Sequence, residues 1–222
     1  MELLHFDDTG PYTAPTQVVM LPGAYSTPQE FVDEDFIGSL RRQGAHADVV
    51  VAGATLDHYI EGPVLQRLHD QVVGPARARG VRQVWLVGIS LGGLFAMAYA
   101  ARHPGQVAGV LALAPYLGRR TLWTEVQRAG GPAAWAAARK PLPDDLLEHE
   151  VWAWIGRGLP GTVLHLGYGR DDRFADAHRV LASLLPPGHH FSVPGGHDWP
   201  VWRTLWQQWL AQGLLPARGA PA

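Results

Sequence analysis

A serine flanked by two glycines lies where an apolar run gives way to a helix-forming stretch. Residues 84–87 are apolar, Gly88-Ile89-Ser90-Leu91-Gly92 follows, and the next ten residues are rich in alanine. This G-x-S-x-G pattern predicts a sharp turn from a strand into a helix, with Ser90 at its tip. Side chains two positions before and after the serine would collide in such a turn, which accounts for Gly88 and Gly92. Ser90 is therefore a candidate nucleophile.

Two later residues could activate that serine. A serine hydroxyl is a weak nucleophile at neutral pH, so it needs a base within hydrogen-bond distance. Histidine suits this role because its ordinary pKa of ~6.5 lets it take and return a proton, and a carboxylate must orient the imidazole. Asp172 and His197 follow Ser90 in that order, each soon after a strand-like run, while Asp171 competes for the acid position. The pattern predicts a catalytic triad in the order serine, acid, histidine.

The elements that must position these residues alternate between strands and helices. Strands are predicted at an edge within 1–7 and at 17–21, 45–52, 84–87, 107–114, 162–166 and 190–193. Helices are predicted at 28–42, 63–79, after the serine turn, and at 144–156, 174–185 and 199–210. Most strands are apolar throughout, which predicts an α/β fold with a mainly parallel sheet and helices on both faces. Functional residues in such sheets lie beyond the carboxyl ends of the strands, where Ala24, Ser90, Asp172 and His197 are expected.

The length and composition indicate one domain with a sizeable core. The chain has 222 residues, of which 47% are hydrophobic, and a single domain over 1–222 is expected. Residues 116–160 are longer than a crossover needs, which predicts a small lid-like insertion at the rim of the sheet. In one interpretation, the four tryptophans of this segment line an acyl pocket. They are Trp123, Trp135, Trp152 and Trp154. Because Val151, Trp154 and Ile155 share one helical face, core packing of the insertion is the alternative.

Several function classes are disfavoured by the sequence. A net charge of -2 and the lack of a dense basic run argue against nucleic-acid binding. Cysteine is absent, which excludes thiolate metal sites. The other histidines form neither H-x-x-x-H nor H-E-x-x-H, so no metal site is predicted. These histidines include His46, His58, His69, His189 and His190. No G-x-G-x-x-G follows a first strand, so no dinucleotide cofactor is predicted. The acidic N-terminus and the lack of ~18 consecutive apolar residues predict a cytoplasmic protein without a membrane span.

Four segments of the chain resemble the α/β-hydrolase family, and the resemblance covers nearly the whole chain. They are LPGAY at 21–25, GISLGG at 88–93, GYGRDD at 167–172 and GGHDW at 195–199. The resemblance implies that Ser90 is the nucleophile, and its G-x-x-D spacing favours Asp172 over Asp171, leaving the other as a turn or cap residue. The GGHDW ending is also similar to that of esterase-D and enterochelin-esterase-like members. Asp198 within it is expected to cap the following helix.

The same resemblance implies an oxyanion hole formed by backbone N–H groups. Leu91 supplies one N–H and Ala24 the other, with Tyr25 as the alternative donor. The family often has His-Gly in the loop before this second donor, whereas this chain has Pro22-Gly23. A backbone N–H does not depend on the side chain before it, so the donor role is retained as an expectation.

The expected function is that of a serine hydrolase, and specifically a carboxylesterase that acts on a small acyl substrate through an acyl-serine intermediate. No cofactor is expected. Hydrolysis of a thioester, lactone or amide and acyl transfer to an alcohol are alternatives that use the same triad. A non-catalytic binding protein of this fold is the alternative outside enzymes. The substrate and the oligomeric state are left open by the sequence.

Overall fold

Seven strands form the central sheet in the computed structural model, which describes residues 1–8, 14–54, 56–61, 63–140 and 146–217. In chain order they are β1 (Leu3–Phe6), β2 (Thr16–Leu21), β3 (Ala47–Ala52), β4 (Gln83–Ile89), β5 (Gly109–Leu113), β6 (Val163–Gly169) and β7 (His190–Val193). Their order across the sheet is β1-β3-β2-β4-β5-β6-β7. The edge strand β1 runs antiparallel to β3, and every other pairing is parallel. The predicted mainly parallel sheet and its N-terminal edge strand are confirmed.

Helices cover both faces of this sheet. The structure contains α1 (Pro28–Asp33), α2 (Phe36–Arg42), α3 (Leu56–Glu61), α4 (Val64–Leu68), α5 (Gly74–Ala78), α6 (Leu91–Arg102), α7 (Arg120–Arg128), α8 (Pro132–Ala138), α9 (Leu147–Gly156), α10 (Ala175–Ala182) and α11 (Trp199–Leu210). Alternate strand residues enter two separate cores: Val19 and Leu21 pack with α4 to α6, while Val18 and Met20 pack with α1, α2 and α11. Burial on both faces explains why the strand sequences are apolar throughout.

Three local features differ from the sequence prediction. The helix predicted at 28–42 is divided into α1 and α2 at Asp35, which has a left-handed φ of 62°. The helix predicted at 63–79 contains one π-helical turn, His69–Val73, between α4 and α5. Residues 56–61, where no helix is predicted, form the short helix α3. None of these changes moves a strand end.

The segment 116–160 is packed into the main core along much of its length. Helix α9 lies against α6, and Trp152 and Trp154 are buried there. The indole N–H of Trp152 donates to the backbone oxygen of Leu117, at 2.9 Å. Trp135 is also buried, so these three tryptophans follow the core-packing interpretation. The predicted helix start at residue 144 lies outside the described residues, and a lid role for this segment stays a prediction.

Candidate active site

The serine turn joins β4 directly to α6. Ser90 follows the last residue of β4 and has φ 53° and ψ -113°, a backbone conformation that L-residues rarely adopt. Its N–H donates to the backbone oxygen of Leu113 at the end of β5, at 2.9 Å. A strained backbone of this kind persists only when surrounding contacts hold it, and the bond to β5 is one of them.

The glycines around the serine allow backbone segments to touch. A Cβ on Gly88 would overlap the backbone of Gly92, and one on Gly92 would overlap the backbone oxygen of Leu21 at the end of β2. A Cβ on Gly93 would lie 2.9 Å from Cβ of Pro115. The turn is therefore closed by backbone contacts to both neighbouring strands, and the steric reason expected for Gly88 and Gly92 is present.

Three side chains from three different strand ends meet above the sheet. Nε2 of His197 lies 2.9 Å from Oγ of Ser90, and Nδ1 of His197 lies 2.7 Å from Oδ2 of Asp172. The side chain of Asp172 is fully buried, while that of His197 is 12% exposed. In the neutral imidazole, Nδ1–H donates to the carboxylate and Nε2 is free to accept the serine proton. The geometry therefore suits removal of a proton from Ser90.

The environment of Asp172 keeps its carboxyl group ionised. Burial raises its pKa, but hydrogen bonds from His197 and from the N–H of Phe174 outweigh burial, so the pKa lies below its usual range. The Phe174 N–H donates to Oδ1 at 2.8 Å, which leaves Oδ2 for the histidine. Phe174 immediately precedes α10, whose N-terminal dipole also favours a negative charge.

The two competing carboxylates have structural partners elsewhere. Oδ2 of Asp171 accepts from the N–H of Gly195 at 3.0 Å, and the Asp171 N–H donates to the oxygen of Gly195 at 3.0 Å. Asp171 thus ties the loop after β6 to the loop that carries His197. Oδ1 of Asp198 accepts from the N–H of Val201 at 3.2 Å, which is the helix cap expected for α11.

The loop after β2 lies beside the serine, where the oxyanion donors are expected. A Cβ on Gly23 would lie 3.6 Å from Cβ of Ser90. Ala24 is partly buried, whereas Tyr25 is 89% exposed. Within the described part of the chain, the N–H groups of Ala24 and Leu91 have no backbone acceptor, so both are available to a ligand.

One buried histidine near the triad was not singled out in the sequence. His178 on α10 is fully buried, and its Nε2–H donates to the backbone oxygen of Pro115 at 2.8 Å. Burial lowers its pKa to about 4, because a protonated ring would be desolvated. Tyr116, the next residue after Pro115, donates its N–H to the backbone oxygen of Ser90 at 2.9 Å. His178 therefore supports the loop that braces the serine turn, and no sequence pattern marks this role.

A cavity of about 360 Å³ is lined in part by Phe174, which also contacts His197 of the triad. Trp123 lines it, whereas the other three tryptophans of the segment 116–160 do not. The ring of Phe174 packs edge-on against His197 with centroids 5.3 Å apart. Phe174 thus lies between the cavity and His197 and contacts both.

Among residues 1–8, 14–54, 56–61, 63–140 and 146–217, no three histidine, aspartate or glutamate side chains cluster in a way that could hold a metal ion. In the same residues, no helix is long and apolar enough to cross a membrane.

Comparison with known proteins gives a family for the chain. Residues 41–214 match the family described as "Putative esterase". A 2-succinyl-6-hydroxy-2,4-cyclohexadiene-1-carboxylate synthase from Enterobacter sp. (strain 638) is 32% identical over 111 residues. That match covers 50% of this chain but only 38% of the relative's length.

Solved structures of similar fold include two bacterial proteins. Est1E from Butyrivibrio proteoclasticus has a TM-score of 0.65 and 15% identity, with 96% of this chain and 92% of that one covered. FphF from Staphylococcus aureus, a fluorophosphonate-binding serine hydrolase, has a TM-score of 0.64 and 13% identity, with 92% and 86% covered. These identities are low, so the structures bear on the fold alone, which is that of the α/β hydrolases.

Proposed function

The chain belongs to the esterase family that it matches over residues 41–214, and on that premise we propose that it is a carboxylesterase with Ser90, His197 and Asp172 as its catalytic triad. The observation that carries the proposal is the pair of hydrogen bonds through His197, 2.9 Å to Ser90 Oγ and 2.7 Å to Asp172 Oδ2. The nucleophile contacts the base, and the base contacts the carboxylate that orients it, as a catalytic triad requires.

In the proposed first step, Oγ of Ser90 attacks the carbonyl carbon of the ester while its proton passes to Nε2 of His197. Asp172 stabilises the resulting imidazolium, because its buried carboxylate is already hydrogen-bonded to Nδ1–H. The tetrahedral oxyanion accepts hydrogen bonds from the N–H groups of Leu91 and Ala24. The C–O bond to the alcohol then breaks, the alcohol leaves with the proton from His197, and an acyl-serine remains.

The second step returns the enzyme to its starting state. His197 takes a proton from a water molecule as the water oxygen attacks the acyl carbon, and the same N–H groups hold the new oxyanion. The bond from the acyl carbon to Oγ of Ser90 breaks, and the serine recovers its proton from His197. The acid is released, so ester and water are converted to acid and alcohol with no cofactor consumed.

Covalent labelling with a fluorophosphonate probe tests this proposal. The probe phosphonylates an activated serine, so we expect wild-type protein to be labelled at Ser90 and the Ser90→Ala variant to lose labelling completely. Hydrolysis of para-nitrophenyl butyrate should fall by about 10⁵ or more in the same variant, because removal of the nucleophile removes the covalent pathway.

A matched control uses another serine hydroxyl. Ser183 is exposed just after α10, and its hydroxyl donates to the backbone oxygen of Val180. Ser183→Ala should retain full labelling and activity. Labelling that persists in Ser90→Ala, or an unlabelled but folded wild-type protein, contradicts the proposed function.

A further inference from the structure

The cavity beside the triad has a wall rich in arginine and aromatic residues. It is lined by Tyr116, Arg119, Arg120, Trp123, Arg173 and Phe174, among others, and is called the cationic cavity below. Two residues of the cavity contact residues of the triad. The backbone N–H of Tyr116 donates to the backbone oxygen of Ser90, and the ring of Phe174 packs against the ring of His197. The cavity therefore adjoins the triad through these two residues, although no triad residue lines it.

The three arginines give this cavity an excess of positive charge. Arg119, Arg120 and Arg173 are exposed, and among the residues that the structure describes, none of them lies within ion-pair distance of a carboxylate. Among the described lining residues, Asp176 carries a carboxylate, and it is already paired with Arg179 at 2.7 Å. The buried Glu148 lies behind the wall, where its Cβ would be 3.2 Å from a Cβ on Gly118. Each guanidinium group carries five N–H donors that match the oxygens of a carboxylate or phosphate.

The backbone adds to the same field. Helix α7 begins at Arg120, and α10 begins at Ala175 beside Phe174, so the N-termini of both helices lie at residues that line or border the cavity. Helix N-termini carry a partial positive charge and point free N–H groups outward. The dipoles alone would not make a site, but they reinforce the arginine side chains.

One arginine is held in position at the boundary with the triad. The guanidinium carbon of Arg173 lies 4.8 Å from the ring centroid of Phe174, a cation–π contact. The same Phe174 ring packs against His197. Arg173 thus places its charge one aromatic ring away from the catalytic base, where it can bind the end of a substrate without contacting the reacting carbonyl.

We infer that the esterase site selects esters that carry an anionic group, a carboxylate or a phosphate, in the part of the substrate that enters the cationic cavity. This inference rests on the proposed function, because it assigns the substrate class of that same site. The volume of about 360 Å³ suits a short acyl or alcohol moiety rather than a long chain. The aromatic residues would pack against the carbon skeleton while the guanidinium groups bind the anion.

Matched pairs of esters that differ only in charge test the inference. On the alcohol side, para-acetoxybenzoate is compared with para-acetoxybenzamide. On the acyl side, monomethyl adipate is compared with the methyl ester of adipamic acid. Hydrolysis is followed by titration of the released acid at constant pH. We expect kcat/KM to be about 10- to 100-fold higher for the carboxylate-bearing ester than for its uncharged partner in at least one pair. The pair that shows this preference identifies whether the alcohol or the acyl part of the substrate enters the cavity.

Variants then locate the source of the preference. Combined Arg119→Gln, Arg120→Gln and Arg173→Gln substitutions should bring the ratio of kcat/KM within a pair close to one. The uncharged ester of each pair is the internal reference, because it lacks the anion that the guanidinium groups would bind. The control is Arg128→Gln, which removes the same charge from the far end of α7 and should preserve the preference. A preference that survives in the triple variant overturns the inference.

The two proposals fail in different ways. If the wild-type protein hydrolyses the uncharged esters through Ser90 but shows no preference in either pair, the proposed function stands and the inference is wrong. If it hydrolyses no ester, the proposed function fails, and calorimetric titration of adipate and para-hydroxybenzoate decides the inference separately. Binding that is lost in the triple variant supports an anion site, and lack of binding to the wild-type protein overturns it.

Discussion

The triad site and the cationic cavity share the residues Tyr116 and Phe174 but are built in opposite ways. In the triad site, Ser90, His197 and Asp172 form a continuous series of hydrogen bonds that ends at the N–H of Phe174. The turn that carries the serine is closed by contacts between backbones, where even a Cβ has no room at Gly88 or Gly92. Its geometry is set by strands on both sides.

The cavity wall is less restrained, although Arg173 is held by a cation–π contact with Phe174. Its arginines at 119, 120 and 173 are exposed and, in the part of the chain that the structure describes, lack carboxylate partners. Bond making needs reacting atoms held to within a fraction of an ångström, whereas recognition of a charge tolerates long side chains that adjust to a ligand. Substitutions in the triad site should therefore affect every ester, while substitutions in the wall should affect the choice between esters.

The largest expected effect separates the two neighbouring carboxylates. Asp172→Asn should lower kcat by about 10⁴, because an amide neither stabilises the imidazolium nor holds the required tautomer of His197. Asp171→Asn should lower it by less than about tenfold, since the carboxylate of Asp171 accepts a hydrogen bond from the backbone of Gly195 and not from His197. Steady-state hydrolysis of para-nitrophenyl butyrate measures both. A nearly inactive Asp171→Asn beside an active Asp172→Asn would show that the acid has been misassigned.

An intermediate effect tests the backbone contacts that set the triad site apart. Gly88→Ala should lower the free energy of unfolding by about 3 kcal/mol, because the new Cβ would overlap the backbone of Gly92. Fluorophosphonate labelling should slow in the same variant. Gly23→Ala is the control, since a Cβ there meets only ordinary contacts at 3.6 Å or more, and its stability should change by less than about 1 kcal/mol. If urea unfolding gives the same free energy of unfolding for Gly88→Ala and Gly23→Ala, the Cβ at residue 88 causes no steric overlap.

The smallest effect concerns His178, which lies beneath both regions. The pKa of this histidine is lowered to about 4 by burial, so between pH 6.5 and about 4 the unfolded chain takes up a proton there that the folded chain does not. Stability is therefore lost as the pH falls through this window, at up to about 1.4 kcal/mol per pH unit from this group. His165, whose pKa is also lowered to about 4 by burial, acts in the same direction.

Urea unfolding at several pH values measures that loss. The stability of His178→Gln should fall less steeply with decreasing pH than that of the wild-type protein, because one of the titrating groups is gone. His5→Gln, which removes an exposed histidine, should retain the wild-type slope. If His178→Gln also retains it, the ring is protonated in the folded protein and its place beneath the loop of Pro115 is wrong.

Much of the fold could be predicted because it depends on local patterns. Apolar runs located the strands, and the bounds of β7 and α11 agree with the prediction to the residue. The break at Asp35 and the π-helical turn His69–Val73 could not be predicted. They arise where helices are fitted against the sheet, and tertiary packing overrides helix propensity there.

The cavity illustrates what sequence patterns leave out. Arg119 and Arg120 follow β5, whereas Arg173 follows β6, and no spacing rule connects them. They meet because β5 and β6 are neighbours in the sheet. The four tryptophans of the segment 116–160 could not be sorted either, because whether an aromatic side chain faces a core or a cavity depends on the packing of its helix.

The sequence by itself determined the residue types and their places relative to the strands: a serine between glycines after β4, two carboxylates after β6 and a histidine after β7. These depend on neighbouring residues, since steric limits in a turn and burial of apolar runs are local. Only the tertiary structure decided that Asp172 rather than Asp171 meets His197, and that arginines from two different loops line one cavity. Both outcomes depend on the parallel register of β4 to β7 and on the direction in which each following loop turns.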